Sequence, residues 1–189
     1  RYCMNCLLRA SPAELAARHD PAAERTAGLT RLLDHSLAAA ATAMDFLYPA
    51  ERHLRPAVDR PGTGLPPLRT TEEARAWLGA AQPTLVALCS RTEEPAPSGD
   101  TVRIATTLHR HYERSGHHTD ALTVHTYALR TARSVGDARG EADVLVCLGA
   151  VHRRLGDYDS AQRLHDTPLA LCRRTGYAAG VAPPVTPGR

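Results

Sequence analysis

Apolar residues recur at three- and four-residue spacing along most of the chain, which is the period of a helix with one buried face. The spacing predicts a helix over residues 11–48 and a second one that is capped by Thr71 and restarted by Pro83. The prolines and glycines of residues 49–70 predict an irregular connector, and residues 94–100 predict a loop. The first half of the chain is therefore predicted to be a helical spacer.

The second half contains an internal repeat of 40 residues. Each unit predicts a helix, a tight turn and a helix, with glycines at the breaks, over 102–115 with 119–135 and over 141–155 with 158–175. We expect the small Gly149 to let the partner helix approach near Ala161. The matching pairs are Leu108 and Leu148, Gly116 and Gly156, Ala121 and Ala161, His125 and His165, Leu129 and Leu169, Gly136 and Gly176, and Gly140 and Gly180.

Composition supports helices throughout. Alanine and leucine dominate the 43% apolar content, aromatic residues reach only 4%, and Ile104 is the single isoleucine. Alanine and leucine favour helices, whereas β-branched and aromatic residues are enriched in sheets. The predicted fold class is all-α.

Charge and cysteine content suggest a cytoplasmic chain. All 23 basic residues are arginine, which is typical of a GC-rich coding sequence, and the net charge of +3 is too small and too dispersed to indicate nucleic acid or membrane binding. No apolar run approaches the roughly 20 residues that cross a bilayer, and no secretory signal is evident. Five cysteines, an odd number, indicate reduced thiols.

The segment at residues 149–161, Gly-Ala-Val-His-Arg-Arg-Leu-Gly-Asp-Tyr-Asp-Ser-Ala, resembles the core of a tetratricopeptide repeat in its longer form. The preceding unit departs from the pattern, because His109 stands where Gly149 does and is expected to hold its two helices apart. Pro168 replaces the small residue that matches Ala128 and should kink or shorten the last helix.

Three upstream segments resemble the actinobacterial STAND (NB-ARC) type of transcriptional regulator: Arg-Tyr-Cys-Met-Asn-Cys-Leu-Leu-Arg at 1–9, Leu-Leu-Asp-His-Ser-Leu at 32–37, and Ala-Arg-Ala-Trp-Leu at 74–78 with Pro-Thr-Leu-Val-Ala at 83–87. The family's closing His-Asp pair is replaced here by Asn5 and Cys6. With its start at Arg1, the chain is expected to be a fragment without the family's nucleotide-binding domain. The resemblance implies a winged-helix end at 1–10, a helical spacer at 11–93, an α-α superhelix of two repeats at 100–176 and a disordered tail at 177–189.

Motifs of catalysis and cofactor binding are missing from the sequence. A P-loop needs a lysine for the outer phosphates, and the chain has none. Gly62-Thr63-Gly64 is interpreted as a connector turn, and no Gly-x-Ser-x-Gly nucleophile motif occurs. We expect neither an enzyme nor a cofactor.

Two groups have the chemistry of metal ligands. Cys3 and Cys6 have the spacing of half a zinc site, but no second ligand pair follows closely. A cluster of histidines centres on the turn at His117 and His118, where two imidazoles would converge. The preferred interpretation is that His125 and His165 are packing residues and that the others decorate polar faces, so no metal site is predicted. The clustered histidines are His109, His111, His117, His118 and His125.

The outward face of each unit's first helix is rich in arginine. Helical spacing places these residues side by side: Arg103, Arg110, Arg114, Asp143, Arg153 and Arg154. A guanidinium group can donate two parallel hydrogen bonds to one carboxylate, so this face suits an acidic peptide or a partner's C-terminus. The alternative is a solvated polar face, the commoner role of exposed arginine.

The leading hypothesis is a non-enzymatic sensor or scaffold module of a bacterial transcriptional regulator, which binds a protein or peptide through its repeats. Two repeats bury little core, so stability is expected from packing on the spacer or from self-association. One alternative is a remnant of a DNA-binding regulator whose winged helix and NTPase lie upstream. A third is a metal-binding helical protein.

Overall fold

The computed structural model describes His19 and residues 21–59, 64–90 and 99–165. Within these ranges every regular element is helical and there is no strand, so the all-α prediction is confirmed. None of the helices in them is both long and apolar enough to span a membrane. The elements are α1 (Ala22–Leu47), a 3₁₀ helix (Pro49–Leu54), α2 (Thr71–Ser90), α3 (Asp100–Ser115), α4 (His118–Val135), α5 (Ala138–Arg154) and α6 (158–165).

Several predicted features lie outside the described residues. They are the winged-helix-like segment 1–10 with Cys3 and Cys6, the start of the first helix at 11–18, the Gly62-Thr63 part of the connector turn, Pro168, and the tail 177–189.

The N-cap of helix α2 lies one residue earlier than predicted. The Thr70 hydroxyl accepts a hydrogen bond from the Glu73 N–H at 3.1 Å, and the Glu73 carboxylate accepts one from the Thr70 N–H at 3.3 Å. This reciprocal pair is a capping box, so Thr70 rather than Thr71 is the N-cap.

Helix α2 also runs unbroken through Pro83, where a restart was predicted. Leu78 and Ala81 before the proline and Leu85 after it are all buried, and Pro83 itself is exposed. Packing of one apolar face on both sides of the proline therefore compensates for the backbone hydrogen bond that it removes.

Glycines end three successive helices, as the sequence predicted. Gly116, Gly136 and Gly156 have φ of 77°, 70° and 80°, a left-handed conformation that favours glycine. Two of the following helices are then capped in the same way, because the Asp137 carboxylate accepts from the Gly140 N–H at 2.8 Å and Asp157 accepts from the Ser160 N–H at 3.1 Å. These turns fix the helix lengths and so the register of the stack.

The helices pack in two rows. Helix α3 packs between α1 and α5 in one row, while α2 packs against α4 in the other, and each consecutive pair from α1 to α5 is also in contact. A single hydrophobic core joins both halves of the described chain, with Met44 from α1, Leu78 from α2, Leu108 from α3, Val124 from α4 and Leu148 from α5. The spacer helices thus supply packing that two repeats alone lack.

Close helix approach occurs at two glycines of α5. A Cβ at Gly149 would lie 2.6 Å from Nε2 of His165 on α6, so the small residue makes room for this ring of the partner helix, one turn after Ala161. A Cβ at Gly140 would lie 2.8 Å from the Val102 side chain on α3 and would also collide with Asp137. In the first unit, where His109 was expected to separate the helices, α3 and α4 still pack together.

We predict that Gly140→Ala lowers the free energy of unfolding by about 1–3 kcal/mol, because the added methyl overpacks the α3–α5 contact and disturbs the Asp137 cap. Gly28→Ala is the matched control, since a Cβ there meets only Arg31 at an ordinary 3.8 Å and should stabilise α1 by about 0.5–1 kcal/mol. Urea denaturation followed by circular dichroism measures both. Equal effects of the two substitutions would contradict the close packing of α5 on α3.

Candidate functional site

The arginine face predicted from the sequence lies on α3 and α5, and the connector after α1 crosses part of it. The Arg103 guanidinium donates to the Ala57 carbonyl oxygen at 2.6 Å, and Arg110 pairs with Glu51 of the 3₁₀ helix at 3.0 Å. Arg103 also pairs with Asp100 at 3.3 Å. Two of the predicted binding residues are therefore engaged by the chain's own connector.

Glu113 of α3 is the centre of the charged network. Its carboxylate accepts from Arg110 at 2.6 Å and from Arg154 of α5 at 3.2 Å, and its side chain is only 9% exposed. Burial by itself would raise the pKa of Glu113, but the hydrogen bonds from the two arginines bring it below its usual value. The network joins the connector to both repeat units.

The remaining predicted residues are placed differently. Asp143 pairs with Arg139 at 3.9 Å, and burial raises the pKa of its carboxyl. Arg114 and Arg153 are exposed and make no ion pair with the part of the chain that the structure describes. Both lie near the C-terminal ends of their helices, next in sequence to Glu113 and Arg154, which are in contact.

A cavity of about 820 Å³ lies between α1 and the connector. Arg55 lines it and donates to Asp45 at 2.5 Å and to the Tyr48 carbonyl oxygen at 3.1 Å. Phe46 and Val58 add apolar surface to the lining. The connector thus folds back on α1 as well as on α3.

A second polar cluster lies inside the stack. His109 of α3, His125 of α4 and Cys147 of α5 have ligand-type atoms that all lie within 4.8 Å of one another. The rings of His109 and His125 are 5.7 Å apart, and Tyr112 packs edge-on against His125 at 6.2 Å. The cluster sits where the two repeat units meet.

Burial controls the protonation of this cluster. It lowers the pKa of His125 to about 3, with a smaller contribution from His109, and lowers the pKa of His109 itself. It also raises the pKa of the Cys147 thiol far above its usual range, an effect to which Asp143 and Glu113 add. At neutral pH all three side chains are therefore uncharged.

The prediction that the histidines other than His125 and His165 decorate polar faces is wrong for His109 and His111. His109 is half-buried against His125, and His111 is buried, because α3 packs on neighbours along most of its circumference. His117 is exposed, and it stacks with His111 at 6.4 Å rather than converging with His118 on a shared site. The packing role expected for His125 is consistent with its complete burial.

Three residues of these clusters were not predicted from the sequence. Glu113 follows Arg110 by three positions, a spacing that signals a helical ion pair. Cys147 lies on the apolar face of α5, where it is indistinguishable in sequence from a core residue. Glu51 has no sequence signal, because its partner Arg110 is 59 residues away.

No protein-family model, curated protein or solved structure matches this chain.

We predict that Glu113→Gln lowers the free energy of unfolding by about 1.5–3 kcal/mol, because it removes charged hydrogen bonds to Arg110 and Arg154 in a partly buried place. Glu141→Gln is the control: its partner Arg133 is 56% exposed, so the loss should stay below about 1 kcal/mol. Chemical denaturation at low and moderate salt measures both. An equally small effect of Glu113→Gln would contradict a stabilising role of the network between the connector and the repeat units.

We predict that the metal-free chain loses stability as pH falls below 6.5, partly through His125. The unfolded state takes up this proton near the ordinary pKa of 6.5, whereas the folded state resists it down to about 3. Above pH 6.5 the ring is neutral in both states and His125 costs no stability. Between pH 6.5 and about 3 only the unfolded state is protonated, so the free energy of unfolding falls by up to about 1.4 kcal/mol for each pH unit. His125→Gln should show a slope smaller by one proton between pH 6 and pH 4 in urea unfolding series with chelator. Identical slopes would contradict the burial of His125.

Proposed function

We propose that this chain is a non-enzymatic interaction module of a bacterial transcriptional regulator, which binds an acidic protein or peptide segment on the α3–α5 face of its helical stack. The observation that carries the proposal is the charged network on that face. Arg110 and Arg154 bind the carboxylates of Glu51 and Glu113, and the four residues come from the 3₁₀ helix, α3 and α5. The same guanidinium chemistry suits a carboxylate from a partner.

Arg114 and Arg153 are the residues with which a partner would make first contact. They are exposed near the C-terminal ends of α3 and α5, and within the described chain neither has an anionic partner. An acidic segment that neutralises both would gain two charge-assisted contacts without first breaking an internal one. Arg103 and Arg110 would join the site only if the connector moved.

The two-row stack favours such a role. Helical arrays bind partners along the exposed face of one row, and the helices in the row are held by the shared core rather than by the ligand. Here α3 and α5 present that face and share buried neighbours with α4. A rigid face lowers the entropy that is lost when an extended peptide binds.

The assignment to a regulator rests on the resemblance of residues 149–161 and of the upstream segments to tetratricopeptide-containing STAND regulators. In such an arrangement the module would sense or scaffold, while nucleotide hydrolysis and promoter binding would belong to other domains. A cytoplasmic location follows from that role and is part of the proposal.

We predict that a fluorescein-labelled peptide of alternating glutamate and alanine with a free C-terminus binds the chain, with an affinity that falls as salt rises. The double variant Arg114→Glu/Arg153→Glu should weaken binding by about 10-fold or more, since each lost or reversed contact costs roughly 1 kcal/mol. Fluorescence anisotropy in 50 and 200 mM salt measures this.

Arg75→Glu combined with Arg130→Glu is the control, since it makes the same charge change on the exposed surface of α2 and α4. If both double variants lose affinity equally, attraction is due to net charge and not to the α3–α5 face. If the peptide does not bind at either salt concentration, the proposed acidic partner is wrong.

A further inference from the structure

Three side chains with metal-ligand chemistry come from three consecutive helices and meet in the interior. His109, His125 and Cys147 are supplied by α3, α4 and α5, and the atoms that each offers are all within 4.8 Å of one another. Imidazole nitrogen and cysteine sulfur are the ligands that soft and borderline metal ions prefer. The set therefore has both the proximity and the chemistry of a metal site.

An independent observation also points to a ligand at this place. His125 is completely buried, yet neither of its ring nitrogens has a hydrogen-bond partner, and Nδ1 of His109 is buried without one as well. An unsatisfied buried polar atom costs about 1–3 kcal/mol, so native structures nearly always give it a partner. A metal ion would accept the lone pair of one nitrogen on each ring.

We propose that His109, His125 and Cys147 form a binding site for a soft monovalent metal ion, Cu(I), at the junction of the two repeat units. Binding replaces the S–H proton of Cys147 by a sulfur–copper bond and releases that proton to solvent, while each neutral imidazole donates one lone pair. No electron is transferred, so the ion enters and remains as Cu(I).

Geometry allows closure of the site by small movements. Metal bonds of about 2.0–2.1 Å to nitrogen and about 2.3 Å to sulfur place ligand atoms roughly 3.4–3.8 Å apart. The atoms in the cluster need to approach by about 1 Å from the present limit of 4.8 Å. His109 is only half-buried, so its ring lies at the edge of the cluster and offers the route of entry.

Charge balance favours Cu(I) over Zn²⁺. A thiolate and two neutral imidazoles carry one negative charge, which a monovalent ion cancels and a divalent ion exceeds. Glu113 and Asp143 are the two carboxylates that raise the pKa of Cys147, and each already pairs with an arginine. An uncompensated charge in the interior costs several kcal/mol. Three protein ligands also leave Zn²⁺ without the fourth that structural zinc sites have.

The set of three ligands does not recur at the positions forty residues away in the other repeat unit. Forty residues after His109 stands Gly149, and forty residues before Cys147 stands Thr107. A bound ion would tie α3 and α4 of the first unit to α5 of the second. It would therefore cross-link the helical stack, and its loss would weaken the packing of α3 on α5.

The test uses the full chain with Cys3, Cys6 and Cys172 changed to serine, which leaves Cys89 and Cys147 as its two thiols. Anaerobic titration with Cu(I) against a chromophoric Cu(I) chelator should give one ion per chain and a higher midpoint of thermal unfolding. X-ray absorption of the loaded protein should show two nitrogen neighbours and one sulfur neighbour. Cys147→Ala in this background should abolish all three results.

Cys89→Ala is the matched control, because Cys89 is the other buried cysteine of the described chain and its substitution should leave copper binding unchanged. If Cys147→Ala does not fold, as judged by circular dichroism, His109→Gln at the half-buried edge of the cluster supplies the test instead. Equal copper binding by Cys147→Ala or His109→Gln and the parent would overturn the site. Tighter binding of Zn²⁺ than of Cu(I) would overturn the choice of ion.

Discussion

Burial of α3 on several sides is the constraint on which the rest of the structure depends. This helix packs against α1, α4 and α5, with a smaller contact to α2. Ile104, Leu108 and Tyr112 supply its apolar contacts. Because so little of its surface faces water, its polar residues must find partners inside the protein or remain unsatisfied. The charged network and the histidine cluster are two outcomes of that requirement.

The two clusters meet the requirement differently. Glu113 and Arg110 lie toward the surface, where opposite charges satisfy each other and water still reaches the network. His125 and Cys147 lie in the interior, where neutral forms avoid the cost of a buried charge but leave nitrogens unpaired. The first cluster explains how α3 is joined to the connector and α5. The second provides ligands that no residue of the described chain satisfies.

Much of the fold could be predicted because its signals are local. Helix period, the glycines at Gly116, Gly136 and Gly156, and the alanine-rich composition act over a few residues, so they predicted the elements and the breaks between them. Pro83 was misjudged because its local effect is opposed by packing of α2 on both sides. The arginine residues of the predicted face lie on α3 and α5, but the internal partners of two of them are not apparent from sequence, and Glu51 is 59 residues from Arg110.

The helical fold class, the ends of most of the described helices and the 40-residue repeat of the second half can all be predicted from the sequence. These properties follow from backbone preferences and hydrophobic period, which depend on near neighbours. Which polar residues become buried, and which of them meet, depends instead on how the helices pack. His109, His125 and Cys147 are brought together by the packing of three helices, and a helical period fixes the face of a residue but not the neighbour that will cover it.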